Sequence, residues 1–149
     1  MYIRWIVRGH RNSEAADVSF HDAYLVESFR DTSGEPRQNT LAYLGNIRQI
    51  GDSFPGIERE LFLLRAEFIM GSMPEISEED RRQVMGQLHQ KVPPLDNKEA
   101  IIGFQNTLRW FFRFWRDNGG GPGEAELIRM VKDARDNPDS IYLTGDEPD

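Results

Sequence analysis

Catalytic or metal chemistry could be built in this chain from three histidines, at 10, 21 and 89, from a cluster of acids, and from a glycine-rich run. His21 and Asp22 are adjacent, and an extended strand sends neighbouring side chains to opposite faces, so the pair does not make an oriented base. The histidines lack the spacing that sets two ligands on one helical face. Glu75, Glu78, Glu79 and Asp80 surround Ser77, where they answer the positive end of a helix dipole better than they would hold a cation. The run Gly119 to Gly123 has no Lys-Ser or Lys-Thr after it, and the helix it precedes opens on acids that would repel a phosphate. With no cysteine in the chain there is no disulfide framework, thiolate site or cysteine nucleophile. The expectation is a non-catalytic protein with no cofactor and no metal.

Arginines offer binding chemistry instead. Residues 1–50 hold six Arg against six Asp and Glu, so the formal charge of −7 falls entirely on the remainder. That acidic balance argues against coating nucleic acid through bulk charge and leaves room for local basic surface. Arg4 and Arg8 share the polar face of an opening strand, with His10 and Arg11 at its edge. Arg30, Arg37 and Gln38 flank a hairpin tip. Arginine forks suit guanine edges and phosphates, glutamine pairs with adenine, and a two-stranded ribbon fits a major groove. Arg30 shares parity with Val26 and Ser28, while Arg37 and Gln38 fall on opposite faces. The competing reading is solvated strand arginines paired with Glu27, Asp31 and Glu35. A second basic group, Arg109, Arg113 and Arg116, lies within about 60° of a helix circumference. On that helix Trp110 and Phe114 sit on the flank away from the main apolar stripe, placed to dock a protein partner or a second copy. In the alternative, these arginines meet Glu58, Glu60 or Glu67, or the acidic tail, and the aromatics fill the core.

A chain of 149 residues and 17.2 kDa is one domain's worth, long enough for its own core. The hydrophobic period changes from two to about 3.6 near residue 50. Tyr2 to Arg8, Ala23 to Arg30 and Arg37 to Leu44 read as strands, the last two joined by a tip in which Gly34 takes positive φ and Pro36 ends the ladder. A first helix over 56–71 carries Ile57, Leu61, Leu64 and Phe68 on one apolar face. A second runs from a Ser77 cap to about Lys91. A third starts after Asp96 and reaches about Asp117, with Ile101, Phe104, Leu108, Phe111 and Trp115 as its buried stripe. A fourth, Glu124 to about Asp136, turns Leu127, Val131 and Ala134 inward, and Ile141 to Leu143 adds a strand or clip. The expected fold is α+β: a three-stranded antiparallel sheet packed on about four helices, in a single domain with a sheet part (1–50), a helical part (51–138) and an acidic C-terminal tail (139–149). The most apolar stretch, 101–115, is interrupted by Gln105, Asn106, Arg109 and Arg113, so no membrane span is expected. The opening MYIRWIVRGH lacks a leader's long apolar run, which makes the cytoplasm the expected compartment.

The hairpin also resembles something known. Residues 24–47, with Val26, Glu27, Ser28, Phe29, Arg30, Gly34, Pro36, Arg37, Gln38, Tyr43, Leu44 and Gly45, are similar to the N-terminal hairpin of certain bacterial insertion-sequence DDE transposases. The match covers about a sixth of the chain. The catalytic carboxylates of those enzymes lie in a larger downstream domain, so no catalytic residue carries over. The resemblance implies an accessory, DNA-binding module related to mobile elements. The alternative is a protein-interaction or homo-oligomeric protein working through its aromatic third helix.

Overall fold

The computed structural model describes residues 1–12 and 16–137. Three strands, β1 (Tyr2–Gly9), β2 (Val18–Arg30) and β3 (Pro36–Ile50), precede four helices, α1 (Gly56–Gly71), α2 (Glu78–Lys91), α3 (Asn97–Asn118) and α4 (Glu124–Asp136). This is the α+β arrangement expected from the change of period. The sheet is antiparallel in the order β1-β2-β3, with Trp5 opposite Ala23 and Ala23 opposite Gly45. Both hairpin strands run further than their β-branched segments suggest, because Val18 to Asp22 pair with Asn46 to Ile50 at the open end. The clip expected at Ile141 to Leu143 lies outside the described residues.

β3 is not a simple alternating strand. Tyr24 pairs with Tyr43 and Ala23 with Gly45, so Leu44 is an extra residue; Leu41 is another, between Ala42 and Thr40. Each bulge bends the strand and adds twist. At the first of them Gly45 has φ +134°, and a Cβ there would sit 3.4 Å from Arg65 Cδ and 3.7 Å from the Phe62 ring. Those distances are ordinary contacts, so it is the backbone conformation at the bulge, not the approach of α1, that favours glycine here.

The core lies between one sheet face and the first two helices. Ala23, Leu25, Leu44 and Ile47 of the sheet meet Phe62, Leu63, Ala66 and Met70 of α1, Val84 and Leu88 of α2, and Ile76 and Val92 beside it. The α1 row expected to face inward is the wrong one: Ile57, Leu61, Leu64 and Phe68 are about 60% exposed or more. Both sides of α1 are apolar, and the row that includes Ala66 allows the closer approach to the bulged strand. α2 starts as its sequence indicates, with Ser77 Oγ accepting from Asp80 N at 3.1 Å. It also reaches the sheet edge, where the outward amide of Ile3 donates to Gln87 Oε1 at 3.1 Å. The start of α3 is tied to α1 by the ion pair of the buried Arg59 with Glu99.

The chain divides into two compact units, 1–104 and 105–149. In the second, the described part comprises the remainder of α3, a glycine turn and α4. No residue of α3 or α4 is buried. The expected buried stripes, Ile101 to Trp115 on α3 and Leu127, Val131 and Ala134 on α4, are thus corrected, because helical periodicity reports an amphipathic face without reporting what covers it. The α3 rings pack on one another along the helix, Trp110 on Phe114 and Phe111 on Trp115, each pair with centroids 5.6 Å apart. Gly121, at φ +151°, tucks under Trp115, where a Cβ would approach to 2.7 Å.

Candidate nucleic-acid interface on the open sheet face

Strand pairing puts opposed residues on the same face of a sheet. The face away from the core therefore carries Arg4 opposite Tyr24, Tyr24 opposite Tyr43, and Asp22 opposite Asn46, with Arg8 and Phe20 beyond them. The Arg4 guanidinium lies 5.5 Å from the Tyr24 ring centroid, the Tyr24 and Tyr43 rings are 5.1 Å apart, and Arg65 reaches from α1 to within 5.7 Å of the Tyr43 centroid. Two cations thus bracket two tyrosine rings in one ladder. Val26, fully buried yet outside the main core cluster, floors the ladder between Tyr2 and Thr40.

Asp22 anchors the arrangement. It accepts from Tyr43 OH at 2.8 Å, from Asn46 Nδ2 at 2.9 Å and from Arg8 Nε at 3.1 Å. Burial pushes its carboxyl up, but the hydrogen bonds from Asn46 and Tyr43 and the charge of Arg8 outweigh this and hold it below the usual range. Burial and the bond to Asp22 raise the Tyr43 phenol in turn. Arg8 balances Asp22 across their ion pair, so the unbalanced outward charge is that of Arg4 and Arg65. Beside the ladder, Phe20, Asn46, Arg48, Glu58, Leu61 and Arg65 help line a cleft of about 330 Å³ between β3 and α1.

The expected hairpin residues divide. Gln38 opposes Ser28, and Arg30 opposes Pro36, on the face of Arg4, Arg8 and Tyr24. Arg37 opposes Phe29 on the other face. Arg37 Nε pairs with Asp31 at 2.9 Å, and Arg30 donates to Gly34 O at 2.8 Å. The tip is self-contained: Asp31 accepts from Ser33, Arg37 and the Glu35 amide, which holds its carboxyl down at about 2. Gly34 there has φ +82°, as a turn without side-chain conflict requires. Arg11 is exposed beyond the end of β1, and His10 Nδ1 accepts from Asn12 N. On α3, Arg116 pairs with its neighbour Asp117, while Trp110 and Phe114 are 57% and 46% exposed.

His21 and Asp22 do part to opposite faces. His21 is buried on the core side, its ring edge-on to Phe54 at 5.2 Å and to Trp5 at 6.5 Å, with Nε2 3.0 Å from Ser19 Oγ. Burial first, and the charge of Lys91 second, lower its pKa against a smaller opposing pull from the Gln49 side chain. Among the described residues no third group orients it toward a substrate position, and no cluster of three or more His, Asp or Glu could hold a metal ion.

The residues that sequence reasoning missed are Tyr24, Tyr43 and Arg65. Tyr24 had a signal, since it shares parity with Val26 and Ser28. Counting by twos from Gln38 sends Tyr43 to the core face, and only the bulge at Leu41 returns it. Arg65 lies on a helix and carries no mark of its contact with the sheet. No helix of the described chain is long and apolar enough to cross a membrane. No protein-family model, curated protein or solved structure matches the chain.

Proposed function

We propose that the chain is a non-catalytic nucleic-acid-binding module, accessory to mobile elements, that holds single-stranded nucleic acid against the open sheet face. The observation that carries this is the ladder Arg4, Tyr24, Tyr43, Arg65. Unpaired bases stack on aromatic side chains whatever their identity, and flanking arginines meet the phosphates. Arg8, paired with Asp22, lies toward one end of the face, and Gln38 adds an uncharged amide toward the tip. Because the hairpin arginines are engaged by the turn, the tyrosine face suits a strand better than the tip suits a groove. The tie to mobile elements rests on the hairpin residues alone.

The test is fluorescence anisotropy with labelled single-stranded and duplex oligonucleotides. Stacking is worth about 1–3 kcal/mol per base, so the Tyr24→Ala/Tyr43→Ala variant loses about tenfold or more in affinity. Two arginine-phosphate contacts, from Arg4 and Arg65, give a salt slope of about −1.4, or roughly sevenfold weaker binding between about 50 and about 200 mM salt. No binding at the lower salt removes the proposal.

A second reading, self-association through the aromatic third helix, is favoured by one observation: every large apolar side chain of α3 is at least partly exposed. Apolar surface on that scale marks a contact site.

A further inference from the structure

α1 carries a second apolar row that its own core does not use. Ile57, Leu61, Leu64 and Phe68 are 61%, 62%, 59% and 67% exposed, while Phe62, Leu63, Ala66 and Met70 fill the core behind them. Their spacing is four, three and four. The α3 residues Phe104, Leu108, Phe111 and Trp115 repeat that spacing, and Phe104 and Phe111 are 52% and 40% exposed. Two helices with matched rows of this kind interdigitate when they lie parallel.

The charges beside the rows also match. Along one edge of the α1 row stand Glu60, which also accepts from the Leu95 amide at 3.1 Å, and Glu67, both lining a cleft shared with Arg81 and Arg82 of α2. Along the opposite-handed edge of the α3 row stand Lys98, Arg109 and Arg116. In a parallel pair these two edges face each other, so acids meet bases once Ile57, Leu61, Leu64 and Phe68 are set against Phe104, Leu108, Phe111 and Trp115. An antiparallel pair would bring the basic edge of α3 against Glu58 and Arg65 instead, a mixed edge.

Building on self-association, we propose that α3 of a second copy docks in parallel on the outer row of α1, and that the exchange is reciprocal in a two-fold dimer. Reciprocity engages sixteen large apolar side chains, most of them about half exposed, which offer on the order of 1,200 Å², the lower bound of a stable interface. A closed two-fold pair also uses each row once and leaves no open end for further growth.

The chain has no cysteine, so single thiols report this contact directly. A mixture of the Leu64→Cys and Phe111→Cys variants, oxidised, is expected to give a disulfide-linked species of twice the 17.2 kDa chain mass, with far less from either variant alone. Sedimentation of the unmodified full chain is expected to give the same doubled mass. Leu64→Asp is expected to raise the dissociation constant at least about thirtyfold. Its circular dichroism and melting cooperativity should stay unchanged, because Leu64 is outside the core. Glu67→Arg is expected to weaken the dimer, and Arg116→Glu in the same chain to restore it. Cross-linking by Phe111→Cys alone would leave self-association standing and overturn this docking. A disulfide formed within single Leu64→Cys/Phe111→Cys chains of monomer mass would overturn it too, and a monomer at every concentration would remove both.

Discussion

Asp22 and His21 sit side by side in sequence and face opposite environments, and each makes the fold sensitive to acid in its own range. The lowered His21 pKa means that the unfolded chain takes up a proton near pH 6.5 while the folded chain resists it. The stability held above that pH is therefore lost as the pH falls through the lowered folded value. Asp22 behaves likewise at lower pH: its contribution is complete above the unfolded carboxylate pKa of about 3.9 and is lost as the pH falls below it. Chemical denaturation across this range should show two declines, the first flattened in His21→Gln and the second in Asp22→Asn. Asp22→Asn also costs about 1–3 kcal/mol at neutral pH, since Tyr43, Asn46 and Arg8 lose a shared charged acceptor. The same variant keeps the Oδ1 that Tyr43 and Asn46 share and loses the Oδ2 that holds Arg8, so under the proposed function single-strand affinity should change less than in Tyr24→Ala/Tyr43→Ala.

Among the elements, the helix ends were legible because their chemistry is local. Ser77 before three acids, Asp96 before Glu99 and glycine after Asn118 each mark a boundary without help from tertiary structure. The orientation of α1 was not legible, because both of its sides are apolar and periodicity cannot rank two good rows. The parity of β3 was lost for a different reason: Leu41 and Leu44 are ordinary strand residues, and nothing in their type announces a bulge. Two adjacent leucines on α1 separate the two rows experimentally. Leu63→Ala should cost about 2–5 kcal/mol of stability by opening a cavity in the core. Leu64→Ala should change monomer stability by no more than about 0.5 kcal/mol, while weakening association. Denaturant titrations of the two variants, read beside sedimentation, would show whether the rows divide the labour this way.

For the whole molecule, the two proposed surfaces lie on different elements and use different physics. The tyrosine ladder depends on arginine charge and weakens with salt, whereas the helical rows depend chiefly on apolar burial, with their ion-pair edges a lesser, screened contribution. The Tyr24→Ala/Tyr43→Ala variant should therefore keep the oligomeric mass of the unmodified chain, and Leu64→Asp should keep measurable affinity for single strands at low salt. Residues 51–138 hold 15 Asp and Glu against 12 Lys and Arg, a mild acidic excess that opposes nonspecific adhesion of the proposed nucleic-acid ligand to the helices. A three-stranded sheet, finally, has two free margins, and they are protected differently. The bulges twist β3, whereas β1 pairs without a register shift, and one of its outward amides, at Ile3, is occupied by Gln87. That single glutamine acts as a stopper against templated strand growth. Gln87→Ala should leave the melting temperature nearly unchanged while shortening the lag before thioflavin-positive fibrils form, a liability of shelf life rather than of folding.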